Sequence, residues 1–183
     1  MHHPASITMN DFGDCYDKLV HMIQSVALRA HGIPKEAVRN MLTCLQIMQF
    51  CIRMGIGKSI ESFEGTMTNP VMGLGIGSGE GPPAFTVLNI LIVNAYKRQG
   101  HGATLTSAHM ACIFLLAAVM YVDDTDLLHQ TRRASVSDEE LIEHTQVATI
   151  DWCILAQATG GKLKAEKCWV YFMVYEFVGG RKN

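Results

Sequence analysis

"AAVMYVDDTDLLHQ", Ala117 to Gln130, decides how the chain is read. An uncharged apolar run of 13 residues, Met110 to Val122, stops at Asp123-Asp124; Thr125 intervenes and Asp126 follows. A membrane-spanning helix needs about 20 such residues, so the run reads as a buried strand or pair of strands. Thr125 to His129 continues as a further strand after a turn at the aspartates. Three carboxylates in four positions repel one another, and two arrangements tolerate them. Aspartate favours turns and stays in water there. Alternatively the acids hold a divalent cation, whose hard-ligand preference suits carboxylate oxygens and whose charge relieves the repulsion that otherwise raises one carboxylate's pKa.

Upstream, Ser6 to Asn10 alternates as a strand does. From about Gly13 the period changes: Leu19, Ile23, Val26, Ala27 and Ala30 recur at helical spacing. Gly32 and Pro34 end that helix and open a second, expected from Pro34 to about Met54, with Val38, Leu42, Leu45, Met48 and Ile52 as its stripe. A loop with a short strand near Ile60 to Phe63 follows. Gly57-Lys58-Ser59 imitates a phosphate-binding loop, but that motif needs a glycine where Ile52 stands. Glycines at 73, 75, 77, 79 and 81 lead into a helix from Pro83 to Arg98, with Pro82-Pro83 at its start. Alternating glycines leave room for something to approach the backbone closely.

Downstream of the acids, Ser137 caps a helix to Ala158 with Glu140 at the capping-box position. Leu141, Val147, Ile150, Ile154 and Leu155 form its expected stripe. A turn at Gly160-Gly161 leads to a strong strand, Cys168 to Phe177. The element order predicts an α+β fold, with helices packed on one face of an antiparallel sheet and acids at a hairpin tip.

The 183 residues suffice for one domain with a core, and residues 1–183 are read as a single unit. Charged residues are only 17% against 49% apolar, low beside the usual ~25%. Either much of the chain is buried or its surface expects a partner. A net charge of -2 excludes a global basic field for nucleic acid, although Lys97-Arg98, Arg132-Arg133, Lys162 to Lys167 and Arg181-Lys182 form local clusters. The six cysteines include no C-x-x-C pair. They read as free, buried thiols of a reducing, intracellular compartment, cytoplasmic or nuclear. The eight histidines are scattered, and no zinc site is expected from their spacing. No secretory signal or membrane segment is evident.

Four segments carry a resemblance in consistent order. "YVDD", Tyr121 to Asp124, resembles the aromatic-x-Asp-Asp box of reverse transcriptases. "DFGDCYD", Asp11 to Asp17, resembles their upstream palm box. "GIGSGEGPP", Gly75 to Pro83, resembles the glycine-proline box that opens the palm's long helix. "GGKLKAEKCWVYF", Gly160 to Phe172, resembles the late box with its glycine turn and lysine. The chain is thus similar to the palm of a retrotransposon reverse transcriptase, without fingers, thumb, RNase H or endonuclease domain.

The resemblance implies an RNA-directed DNA polymerase, a nucleotidyltransferase using two Mg²⁺ or Mn²⁺ ions. Its partners would be an RNA template, a DNA primer and a dNTP, with missing fingers and thumb segments or a larger polyprotein and no membrane. Asp11, Asp123 and Asp124 would be the metal ligands. The Phe12 carbonyl would touch the nucleotide-bound metal, Tyr16 would stack under the sugar, and Gly77 and Pro82 would floor the nucleotide site. Lys167 would be a proton donor to pyrophosphate. Asp14, Asp17 and Asp126 read as caps or surface acids. Two departures weaken the expected activity: Ile76 stands where the family carries glutamine, and Gly81 where it carries serine. The alternative is a non-catalytic retroelement remnant that at most binds a metal or a partner.

Overall fold

A computed structural model describes the protein at all residues except 1–2, 14–15, 67, 76–78, 108, 110, 122, 132, 134–135, 175–176, 179–180 and 183. In chain order the elements are β1 (Ala5–Gly13), α1 (His21–Ala30), α2 (Lys35–Gln46), β2 (Gln49–Phe50), β3 (Arg53–Met54), β4 (Gly57–Lys58), β5 (Phe63–Glu64), α3 (Gly81–Arg98), β6 (Ala103–Thr106), β7 (Ile113–Leu116), β8 (Ala118–Tyr121), β9 (Asp124–Gln130), α4 (Asp138–Ala158), β10 (Lys162–Leu163), β11 (Trp169–Met173), β12 (Phe177–Val178) and β13 (Arg181–Lys182). Every strand pair among the described residues is antiparallel. The fold is α+β, as the element order predicts. Two compact units divide the chain: residues 1–13 with 89–183, and residues 14–88.

In the first unit β1 is the central strand. It pairs with β9 on one side and with β10 and β11 on the other, and β8 extends the sheet beyond β9. The β1 sequence alternates strictly. Ser6, Thr8, Asn10 and Phe12 are buried, whereas Ala5, Ile7, Met9 and Asp11 are less so. On β9 the buried set is Thr125, Leu127 and His129. Because side chains alternate between faces of a strand, each strand presents one covered and one open face. Helix α4 covers the first. The Ser6 and Thr145 hydroxyls are hydrogen-bonded at 2.8 Å, and the Phe12 and Trp152 rings meet edge to face at 5.9 Å. Tyr96 of α3 packs edge-on against the other side of Trp152 at 5.4 Å. Rings this size dominate the burial free energy of a small core.

Helix α4 starts as its sequence predicts, with Ser137 Oγ accepting the Glu140 N–H at 3.2 Å. Its buried stripe differs from expectation. Leu141, Thr145, Ala148, Trp152 and Ala156 face inward, while Val147, Ile150 and Ile154 are exposed. Beneath the helix Ser6 bonds Thr145 and Phe12 meets Trp152, which turns the face through Thr145 and Trp152 inward. Of the strand expected from Cys168 to Phe177, β11 covers Trp169–Met173 and Phe177 falls in β12; residues 175–176 lie outside the described residues.

The second unit contains α1, α2, the four two-residue strands β2 to β5 and the first turns of α3. Its core gathers Leu19, Ala27, Leu28, Val38, Leu45, Leu74, Phe85 and Leu88. Helix α2 stops at Gln46, short of the expected Met54. The segment beyond it instead folds into the β2–β5 and β3–β4 ladders, with Ile52 exposed. Gly57 to Ser59 lies at β4 of that ladder, with no helix after it, so the apparent phosphate loop is a hairpin. Helix α1 buries His21 and Gln24 along with Ala27 and Leu28, and leaves Val26 exposed. Both polar side chains bond to backbone: Gln24 Nε2 donates to the Ala84 carbonyl at 2.7 Å, and His21 Nε2 bonds the Gly73 carbonyl at 2.6 Å. Gly73 itself has φ +85°, and a Cβ there would overlap the Tyr16 carbonyl; no other residue fits.

The described cysteines are free thiols, as expected, but Cys44, Cys51 and Cys112 are exposed where burial was expected. Among the described residues no helix is long and apolar enough to cross a membrane.

Candidate functional site

The sharp reversal at the end of the apolar run places the acids. Tyr121 of β8 stands opposite Asp124 of β9, antiparallel to it. On the other side of β9, Asp124 is registered opposite Asp11. Opposed residues of an antiparallel ladder lie on the same face with Cβ atoms about 5 Å apart. Two acids separated by 113 positions (124 − 11) therefore become neighbours. Asp123 joins them through the backbone: its carbonyl accepts the Phe12 N–H at 3.1 Å, just past the ladder.

The site lies on the open face. A cleft of about 450 Å³ is lined by Met9, Asp11, Asp124, Asp126, Lys167 and Trp169, together with Asn10 and Thr125. Asp126, read from sequence as a cap or surface acid, is half-buried in this cleft. It is two residues beyond Asp124, hence on the same face. That parity is readable in "DDTD", where the turn signal of the aspartates overshadows it. Lys164 is the other functional residue that the sequence does not single out.

Asp11 is flanked by both lysines. Lys167 Nζ donates to its Oδ2 at 3.1 Å, and Lys164 Nζ lies 3.8 Å from Oδ1. The hydrogen bond to Asp11 is the main influence raising the Lys167 pKa above the usual lysine range; the charges of Asp11 and then Asp123 and Glu166 add to it. Lys167 is thus held protonated at the cleft. Its side chain is largely exposed, so the ion pair contributes little to stability. Asp11 Oδ1, in contrast, is buried without a hydrogen-bond partner.

That orphaned oxygen decides whether a cation suits the site. A buried carboxylate oxygen left unsatisfied is costly, and a hard divalent cation is one partner that would satisfy it. Asp11, Asp123 and Asp124 offer the right donor type. Among the described residues, however, no three His, Cys, Asp or Glu side chains are already gathered as a metal-ligand group, and the lysines supply the positive charge beside Asp11.

The remaining expected residues divide between the units. Phe12 is a core residue whose ring rests on Trp152 and against Gly161, where a Cβ would come within 3.0 Å of the ring. Tyr16 belongs to the second unit, where its ring packs against Phe85 at 5.0 Å and its carbonyl accepts the Leu74 N–H at 2.7 Å. Pro82 is exposed in the first turn of α3, and its carbonyl accepts the Thr86 hydroxyl at 2.9 Å. Gly77, Ile76 and Asp14 lie outside the described residues.

The class that the fold defines is an α+β domain with antiparallel sheets. No protein-family model matches the chain, and no curated protein matches it in sequence. Among solved structures, the chain is similar to an apo telomerase from Candida tropicalis truncated from its C-terminal domain. The likeness has a TM-score of 0.53 at 10% identity, covering 94% of this chain and 31% of that one. At that identity the likeness is one of fold, and the chain spans about a third of that protein's length.

Proposed function

We propose that the chain is the palm portion of a reverse-transcriptase-type nucleotidyltransferase, with the β1–β9 acids as its metal centre. The observation that carries this reading is the register pair Asp11–Asp124, with Asp123 tied to Phe12 beside it. Telomerase is itself a reverse-transcriptase-related enzyme, so the fold likeness and the ordered boxes support the same class from independent directions.

In this reading Asp11, Asp123 and Asp124 hold two Mg²⁺ or Mn²⁺ ions. The ions would supply Lewis-acid chemistry, activating a primer 3′-hydroxyl and stabilising the departing pyrophosphate. The chain's residues do the rest. Asp11 Oδ1 gains a partner. Lys167 carries its proton at Nζ at the edge of the cleft, where a leaving pyrophosphate can take it. Phe12, next to Asp11 on the same strand, would present its backbone carbonyl. The partners are RNA template, DNA primer and dNTP.

A second reading is favoured by the two ammonium groups on Asp11. The acids there are neutralised by Lys164 and Lys167, and the domain is a non-catalytic retroelement remnant. Primer extension separates the two. The chain alone should extend a primer on poly(rA) feebly or not at all, because positioning and charge stabilisation of the triphosphate supply much of the catalysis. Residues 5–178 grafted between complete fingers and thumb of a reverse transcriptase, with Ile76→Gln, should extend it. Asp123→Asn in that chimera should abolish extension, by roughly 10²-fold or more if a metal is lost. A chimera that folds and binds primer–template yet shows no extension establishes the second reading.

A further inference from the structure

A second cleft of the first unit, about 1000 Å³, is lined by His101, His129, Gln130, Arg133, Glu140 and His144 among others. It is distinct from the acidic cleft. His129 is five residues beyond Asp124 on β9, about 17 Å along the strand, and on the covered face. Histidines 101, 129 and 144 are scattered in sequence, yet the fold strings their rings together. His129 lies 5.9 Å from His101 and 6.1 Å from His144, centroid to centroid.

His129 is the unexplained member. It is only 9% exposed, and neither ring nitrogen has a hydrogen-bond partner. A buried polar group without a partner is costly and calls for a ligand. His101 is already engaged, with Nε2 bonded to the Asp151 carboxylate at 2.7 Å. His144 is exposed on α4, and half-buried Glu140 precedes it by four residues, hence on the same helix face.

We propose that this cleft binds a divalent d-block cation such as Zn²⁺, with His129 and His144 as imidazole ligands and Glu140 as the carboxylate ligand. Imidazole is the characteristic donor for such ions. Two rings on one tetrahedral zinc, with Zn–N about 2.0–2.1 Å, have centroids about 5.2 Å apart. The observed 6.1 Å is about 1 Å wider. Among the described residues these side chains are not gathered into a ligand group; in this assignment the exposed His144 and the Glu140 carboxylate would have to move onto the ion. Burial, and then the nearby His101 and His144, push the His129 pKa down to about 4.

Calorimetric titration of the whole chain with Zn²⁺, in saturating Mg²⁺ to occupy hard oxygen sites, tests this. One ion per chain should bind. His144→Ala, an exposed change that leaves the core intact, should weaken binding about tenfold or more, since even outer-shell partners of metal ligands are worth that much. Glu140→Gln should weaken it less. Zn²⁺ should raise the Tm of the parent and not that of His144→Ala. His3→Ala should leave the affinity within about twofold, as His3 lines the cleft without being a ligand in this assignment. Unchanged affinity in His144→Ala, loss of binding in His3→Ala alone, or binding of inorganic phosphate in place of Zn²⁺ would overturn the assignment.

Discussion

The two faces of the β1–β9 ladder are built from alternate residues of the same two strands, yet they do opposite things. One face carries Ser6, Thr8, Asn10 and Phe12 beside Thr125, Leu127 and His129, all under cover. The other carries Met9 and Asp11 beside Asp124 and Asp126, lining an open cleft. A slip of one residue in β1 would turn that strand over, burying Asp11 and exposing Phe12; the same slip in β9 would bury Asp124 and Asp126. The packing of the covered face is therefore what holds the acids in the open. The site's geometry is secured from behind.

Phe12 is where the contrast between the faces is most vulnerable. It is 3% exposed and rests on fully buried Trp152. Phe12→Ala should cost about 3–5 kcal/mol in urea unfolding. Its neighbour Asp11 faces the other way, and Asp11→Asn should change stability by no more than about 0.5 kcal/mol, because it removes only solvent-screened lysine pairs. Equal losses in the two variants would mean that the faces are not assigned as described.

Acid should attack the covered face through His129. Its folded-state pKa of about 4 lies below the ordinary 6.5. Above pH 6.5 the ring is neutral in both states and contributes no penalty. As pH falls from 6.5 towards 4 the unfolded chain takes up a proton that the folded chain refuses, so stability falls. The loss levels off below about 4, at roughly 3 kcal/mol in total. His101 and His144 adjoin the ring, Asp151 pairs with His101, and Arg133 and Glu140 stand in the same cleft. Urea midpoints in EDTA between pH 8 and pH 4 check this. The slope should shrink in a His129→Gln variant, and an unaltered slope would clear His129 of the effect.

Smaller effects report how α4 seats on the covered face. Thr145 Oγ1 donates to the Leu141 carbonyl at 2.8 Å and bonds Ser6 across the interface. Ser6→Ala should cost about 1 kcal/mol. Ser137→Ala, at the exposed N-cap, should cost about the same or less. Exchanging exposed Ile150 for glutamine should cost nearly nothing, a result that the aliphatic stripe expected from sequence would not allow.

Much of this fold is legible in the amino-acid sequence. The alternation in "ASITMNDFG" and the capping box at Ser137 are local signals, and both hold in the fold. The acidic hairpin is legible because an apolar run that ends in two carboxylates has to turn there. What is not legible is tertiary. The α4 stripe differs from its periodicity because its inward face is set by partners on β1, Ser6 for Thr145 and Phe12 for Trp152, and no helical spacing carries that information. Helix α2 ends early because the β2–β5 pairing, set by distant residues, claims the chain although Met48 and Ile52 continue the helical pattern. Lys164 on Asp11, and His129 beside His144, depend on strand register across more than a hundred positions in the first case and on sheet-to-helix packing in the second.

If Asp11, Asp123 and Asp124 form a cation centre on the open face, Mn²⁺ should find it, and titration followed by electron paramagnetic resonance reads this without any need for turnover. The parent chain should bind Mn²⁺, with Asp11→Asn and Asp123→Asn each losing about tenfold or more in affinity, as removal of a direct charged ligand demands. Asp126→Asn, at the far side of the cleft, should lose less. A parent chain that binds no Mn²⁺, leaving Lys164 and Lys167 as the partners of Asp11, or the same affinity in all four proteins, would contradict the cation centre.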